Sequence, residues 1–128
     1  MIKNRFIIAA IVVFAAILAG CGAITPAAHT RITQDEAIYI IANQDAIILD
    51  VRELHEFNAG HIPNAISLPV DDIVDAVMHM IPNKEQIILV YCRSGNRSDT
   101  AAAILADMGY RNVYDFGGIL SWTGEIIH

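Results

Sequence analysis

Cysteine is nearly absent from this chain: the 128 residues hold two, Cys21 and Cys92. Two thiols cannot build a disulfide framework. Basic residues are scarce as well, with 8 Lys and Arg against 14 Asp and Glu and a formal net charge of −6. There is no run of Lys or Arg, which argues against a nucleic-acid partner. The five histidines, His29, His55, His61, His79 and His128, are scattered and share no ligand spacing, so no metal site is expected. No repeat and no low-complexity segment interrupts the chain, and no cofactor motif is present. The length suits one domain with a real core.

One long apolar run does occur, and it lies at the start. Lys3 and Arg5 precede an apolar stretch from Phe6 to Leu18, the pattern of a secretory signal. Leu18-Ala19-Gly20-Cys21 closes it and resembles the lipobox of bacterial lipoproteins. That resemblance implies lipid on Cys21, removal of residues 1–20, and an exported domain anchored to a membrane. The alternative is an uncleaved spanning helix, since apolar residues continue to Ile24. With Cys21 carrying lipid, Cys92 becomes the sole free thiol of an exported protein. Losing Lys3 and Arg5 takes the net charge from −6 to −8. Residues 21–31, with Pro26, are expected to be a tether, and residues 32–128 the domain.

Along the domain, helical and strand patterns alternate. Thr33-Gln34-Asp35-Glu36 reads as a capping box before the apolar positions Ala37, Ile38, Ile40 and Ile41. Ala46 to Val51 is a strand, and Glu53 to Ala59 a short helix stopped by Gly60. Ile66-Ser67-Leu68 is a short strand ended by Pro69. Asp71-Asp72 opens a helix with Ile73, Val74, Val77, Met78 and Ile81 at helical spacing, and Met78 and Met80 are expected in its core. Gln86 to Tyr91 is a strand, Asp99 to Met108 a helix, and Val113 to Asp115 the last strand. Gly117-Gly118 is expected to turn into a short helix holding Trp122, a packing residue. Short, wholly apolar strands between helices imply an α/β fold, a mainly parallel sheet buried between helices on both faces. Ligands then sit beyond the carboxyl ends of the strands, where Asp50 and Cys92 both fall.

Between the strand Gln86–Tyr91 and the helix after it stands Cys92-Arg93-Ser94-Gly95-Asn96-Arg97-Ser98. A cysteine at a helix N-terminus is easily held as thiolate, because free N–H groups and the helix dipole favour negative charge. Arg93 and Arg97 add positive charge. Ser94, Asn96 and Ser98 bring hydrogen-bonding side chains, Ser98 being the expected N-cap. Gly95 gives the backbone freedom to curl its N–H groups into an anion nest.

Four separated stretches carry a family resemblance: Asp50-Val51-Arg52-Glu53, Glu56 to Ala65 with Gly60-His61-Ile62-Pro63, Cys92 to Ser98, and Gly117-Gly118 with Trp122. Together they resemble a single rhodanese domain running from about Ile32 to the C-terminus. The resemblance implies a three-layer rhodanese-like fold. It also implies transfer of sulfane sulfur from a donor anion such as thiosulfate, through a persulfide on Cys92, to a thiophilic acceptor such as cyanide or a thiol. The loop Cys92 to Arg97 would form the pocket, with Arg93, Ser94, Gly95, Asn96 and Arg97 binding substrate. A protein acceptor is a further possibility under the same resemblance. So is a domain that carries persulfide without turnover, or serves only as an interaction module. The rival chemistry of the same fold is a cysteine phosphatase or arsenate reductase with a Cys-x5-Arg loop. Here Arg97 gives Cys-x4-Arg, and Ser98 stands at the longer spacing. Asp50 and Arg52 are expected to organise a strand end rather than supply a phosphatase acid.

Overall fold

The computed structural model describes residues 28–128. The expected lipobox and Cys21 lie outside the described residues. Five strands form one parallel sheet: β1 (Thr30–Arg31), β2 (Ala46–Asp50), β3 (Ile66–Ser67), β4 (Ile87–Cys92) and β5 (Asn112–Gly118), in the order β1-β5-β4-β2-β3. Helices α1 (Gln34–Asn43), α2 (Leu54–Ala59), α3 (Ile73–Met80) and α4 (Asn96–Asp107) connect them, with single 3-10 turns at Val70–Asp72 and Ile119–Ser121.

Every residue of β4 after Ile87 is buried, because successive side chains enter opposite cores. Ile88, Val90 and Cys92 face one cluster, built with Ile73 and Val77 of α3 and Ala101, Ala102 and Leu105 of α4. Leu89 and Tyr91 face the other, built with Ala37 of α1, Ile62 and Phe116. The expected α/β fold with helices on both faces is therefore what forms. β4 is the middle strand, and the chain leaves it toward β5 after having filled its other side with β2. Parallel pairing puts Asp50 at the end of β2 opposite Tyr91, so Asp50 and Cys92 lie at the same end of the sheet.

Local signals explain most element ends. Thr33 caps α1 in a complete box: the Glu36 N–H donates to Thr33 Oγ1 at 3.1 Å and the Thr33 N–H to Glu36 Oε2 at 2.7 Å. Three expectations are corrected. Thr30 and Arg31, expected in the tether, form the edge strand β1 against Tyr114 and Asp115, and Arg31 is fastened to buried Asp115 at 2.8 Å. Met78 and Met80, expected in the core, are exposed, as is Val74; only Ile73, Val77 and Ile81 of that pattern are buried. Gly117 and Gly118 continue β5 rather than ending it, and Trp122 follows the 3-10 turn to pack on Phe116 at 5.5 Å.

Candidate active site

Cys92 is the last residue of β4, and α4 begins four residues later. The intervening turn is tight because Gly95 takes a positive φ of 114° and caps the helix with its backbone. This folds the Gly95 N–H back onto Cys92 Sγ at 3.0 Å. Ser98 is consequently inside the first turn of α4, not its N-cap. It is fully buried, and its Oγ lies 3.5 Å from Cys92 Sγ, 3.0 Å from the Gly95 carbonyl and 3.3 Å from the Gly117 carbonyl. When the thiol ionises, that hydroxyl is placed to turn its proton onto the sulfur.

The electrostatics follow from this cradle. Burial pushes the Cys92 thiol up, but the Ser98 hydroxyl and the N–H groups of Ser98, Gly95 and Ser94 outweigh it. The net result is a thiol held below its ordinary range. The loop's hydrogen bonds supply this stabilisation, as the sequence led one to expect of the backbone N–H groups; the Ser98 hydroxyl is the contribution it did not indicate.

The arginines are arranged unequally. Arg93, Ser94 and Asn96 are exposed, and the Arg93 side chain has no hydrogen-bond partner among the described residues. Arg97 is paired: its two terminal nitrogens reach the two carboxylate oxygens of Glu56 at 2.6 and 3.0 Å. Chiefly for that reason Glu56 is lowered from 4.5 to about 2, despite an opposing contribution from burial. Glu56 belongs to the Glu56–Ala65 stretch, yet nothing in the sequence marks it as a site residue. Arg31 was equally unmarked: β1 brings its guanidinium to 4.0 Å from where a side chain on Gly95 would begin.

Two further features hold the loop in place. A Cβ on Gly118 would stand 2.1 Å from the Arg93 carbonyl oxygen, so only glycine lets β5 lie against the loop. Beneath the neighbouring strand end, Arg52 donates to both Asp50 oxygens at 2.9 and 2.6 Å and to the Gly60 carbonyl at 2.7 Å. Asp50 also accepts the Arg52 backbone N–H, so its carboxylate is fully engaged in structure and unsuited to acid catalysis. His61 likewise serves the fold, stacking on Phe57 at 3.8 Å with Nδ1 3.1 Å from the Phe57 carbonyl. A cavity of about 420 Å³ opens beside the loop, with Asn96 and Arg97 on one wall and Val70, Asp71 and Val74 opposite. Cys92 is not among its lining residues; the sulfur sits under the loop that borders it.

Comparison with known proteins agrees with this geometry. The rhodanese-like domain family matches residues 33–125. A putative mitochondrial thiosulfate sulfurtransferase of Schizosaccharomyces pombe is 35% identical over 96 residues, covering 66% of this chain and 68% of that protein. A tRNA uridine(34) hydroxylase of Yersinia pestis is 33% identical over 97 residues, covering 70% of this chain. The chain spans only 26% of that hydroxylase, and 27% of another curated relative it matches. The crystal structure of a thiosulfate sulfurtransferase from Pseudomonas aeruginosa superposes with a TM-score of 0.71 at 26% identity, covering 78% of this chain and 20% of that one. The parallel sheet, the cysteine loop at its carboxyl end and these matches together make the chain a member of the rhodanese-like domain family.

Proposed function

We propose that this protein is a sulfurtransferase that loads sulfane sulfur from an anionic donor such as thiosulfate onto Cys92 and passes it to a thiophilic acceptor, cyanide or a thiol. The observation that carries the reading is the six-residue loop Cys92–Arg97, whose N–H groups converge on a thiol of lowered pKa. In the loading step the Cys92 thiolate attacks the outer sulfur of thiosulfate. The S–S bond of the donor breaks, sulfite leaves with the electron pair, and Cys92–S–S⁻ remains. The backbone N–H groups around Gly95, with Ser94 and Asn96, hold the new anion, and the exposed Arg93, rather than the Glu56-paired Arg97, offsets the donor's charge. No general base is needed, because the thiolate is already the nucleophile.

Phosphoryl transfer fits less well. A loop of Cys-x4-Arg is one residue short of the Cys-x5-Arg cradle, and Asp50 is locked to Arg52. A carrier of persulfide that does not turn over uses the same loop and differs only in kinetics. Thiocyanate production from thiosulfate and cyanide separates the two. The enzyme reading expects many turnovers per chain, lost in Cys92→Ser; a single stoichiometric release of sulfur would support the carrier instead. We further propose that lipid on Cys21 anchors the domain to a bacterial membrane on its periplasmic or extracellular side, a reading supported by Leu18-Ala19-Gly20-Cys21.

A further inference from the structure

The charge at the mouth of the loop is not what two arginines suggest. Arg97 spends both terminal nitrogens on Glu56. Glu56 is itself fixed: the same Oε2 that receives Arg97 also accepts the Glu53 N–H at 2.9 Å, in the capping box that starts α2. The carboxylate therefore cannot follow the guanidinium toward a ligand without undoing a helix cap. With side-chain exposures of 34% for Arg97 and 20% for Glu56, the pair is partly withdrawn from solvent, where a bidentate contact holds better than on an open surface. Asp71 lines the same cavity as Arg97, which adds a second carboxylate to its lining.

We propose that Glu56 is a specificity-determining residue of the loading step, which it performs by retaining Arg97 and setting the site against doubly charged donors relative to singly charged ones. The inference rests on the persulfide reading of Cys92. Two donors of the same sulfane chemistry isolate the effect. Thiosulfate carries two negative charges and releases sulfite. Methanethiosulfonate carries one: Cys92–S⁻ takes its outer sulfur, the S–S bond breaks, and methanesulfinate leaves with the electron pair. Each reaction ends in Cys92–S–S⁻ with charge conserved.

The test compares kcat/KM for the two donors at saturating cyanide in wild type and Glu56→Gln. Freeing Arg97 and removing one negative charge should raise the thiosulfate-to-methanethiosulfonate ratio roughly fivefold, mostly through the thiosulfate KM. An unchanged ratio, or an equal loss of kcat for both donors, would reduce the pair to a structural clamp and overturn the proposal. If Glu56→Gln unfolds, the double variant Glu56→Gln/Arg97→Gln replaces it. That variant removes both charges and keeps hydrogen-bonding side chains, so the ratio should stay within about twofold of wild type, given that the pair's net charge is unchanged. A collapse of the ratio in the double variant would mean that Arg97 grips thiosulfate directly, against the proposal. Failure of the wild type to load sulfur from either donor is a different result: it removes the persulfide reading, and this inference with it.

Discussion

The Cys92 thiol is buried, and burial by itself would keep it protonated. Ser98 and the backbone of the loop reverse that, which makes Ser98 the residue whose removal most directly exposes the mechanism. Ser98→Ala should shift the pH dependence of sulfur loading upward, because the thiolate loses a hydrogen bond made to a charged group. The sign follows from the cause: without the hydroxyl the thiolate is less stable, so a more alkaline solution is needed to form it. A pH–rate profile identical to wild type would mean that Ser98 only packs. The two roles of Ser98 could not be separated from sequence. A serine before an apolar helix reads as a cap, and only the positive φ at Gly95 starts the helix early enough to turn Ser98 inward. Glu56 was hidden for another reason, since its partner Arg97 lies 41 residues away.

The loop keeps its shape because β5 presses against it at Gly118, paired with Cys92 in the sheet register. Gly118→Ala should displace the Arg93 carbonyl, lower stability by about 1–3 kcal/mol as overpacking does, and abolish sulfur loading. Gly109→Ala is the control: its φ of 97° also disfavours a side chain, but no atom lies within 4 Å of the added carbon. It should lose stability and keep loading. Equal loading by both variants would remove the claimed role of Gly118. The Glu56–Arg97 pair joins α2 to the loop and gives a pH signature. Glu56 sits lower in the folded protein than in the unfolded chain, so its contribution is in full force above about pH 4.5 and is lost as pH falls toward 2. Thermal unfolding should therefore show less loss of Tm between those values in Glu56→Gln than in wild type. Elements with local signals, such as the Thr33–Glu36 box and the apolar β4, were legible from sequence. β1 was not, because two extended residues held by Arg31–Asp115 carry no periodicity. The exposed Val74 and Met78 show the converse, a helical spacing with no core to meet it.

A sheet of five parallel strands brings all strand ends with chemistry to one side, and the buried Asp50–Arg52 pair secures that side. Asp50→Asn would leave a buried guanidinium without its counter-charge, and should cost about 3–5 kcal/mol in denaturant unfolding. A loss below about 1 kcal/mol would show that the Gly60 carbonyl and the Tyr91 ring suffice for Arg52. The architecture and the place of Cys92 at a strand end were readable together because strand ends in a parallel α/β fold gather on one side. The proposed anchoring of the domain to a membrane is tested by Cys21→Ala, which should leave a longer, unlipidated precursor; a chain still cut before residue 21 and still membrane-bound would contradict it. The most direct measurement of the central claim is the intact mass of the purified protein before and after incubation with thiosulfate. A persulfide on Cys92 predicts the gain of one sulfur atom, reversed by cyanide and absent in Cys92→Ser. An unchanged mass in the wild type, or the same gain in Cys92→Ser, would contradict it.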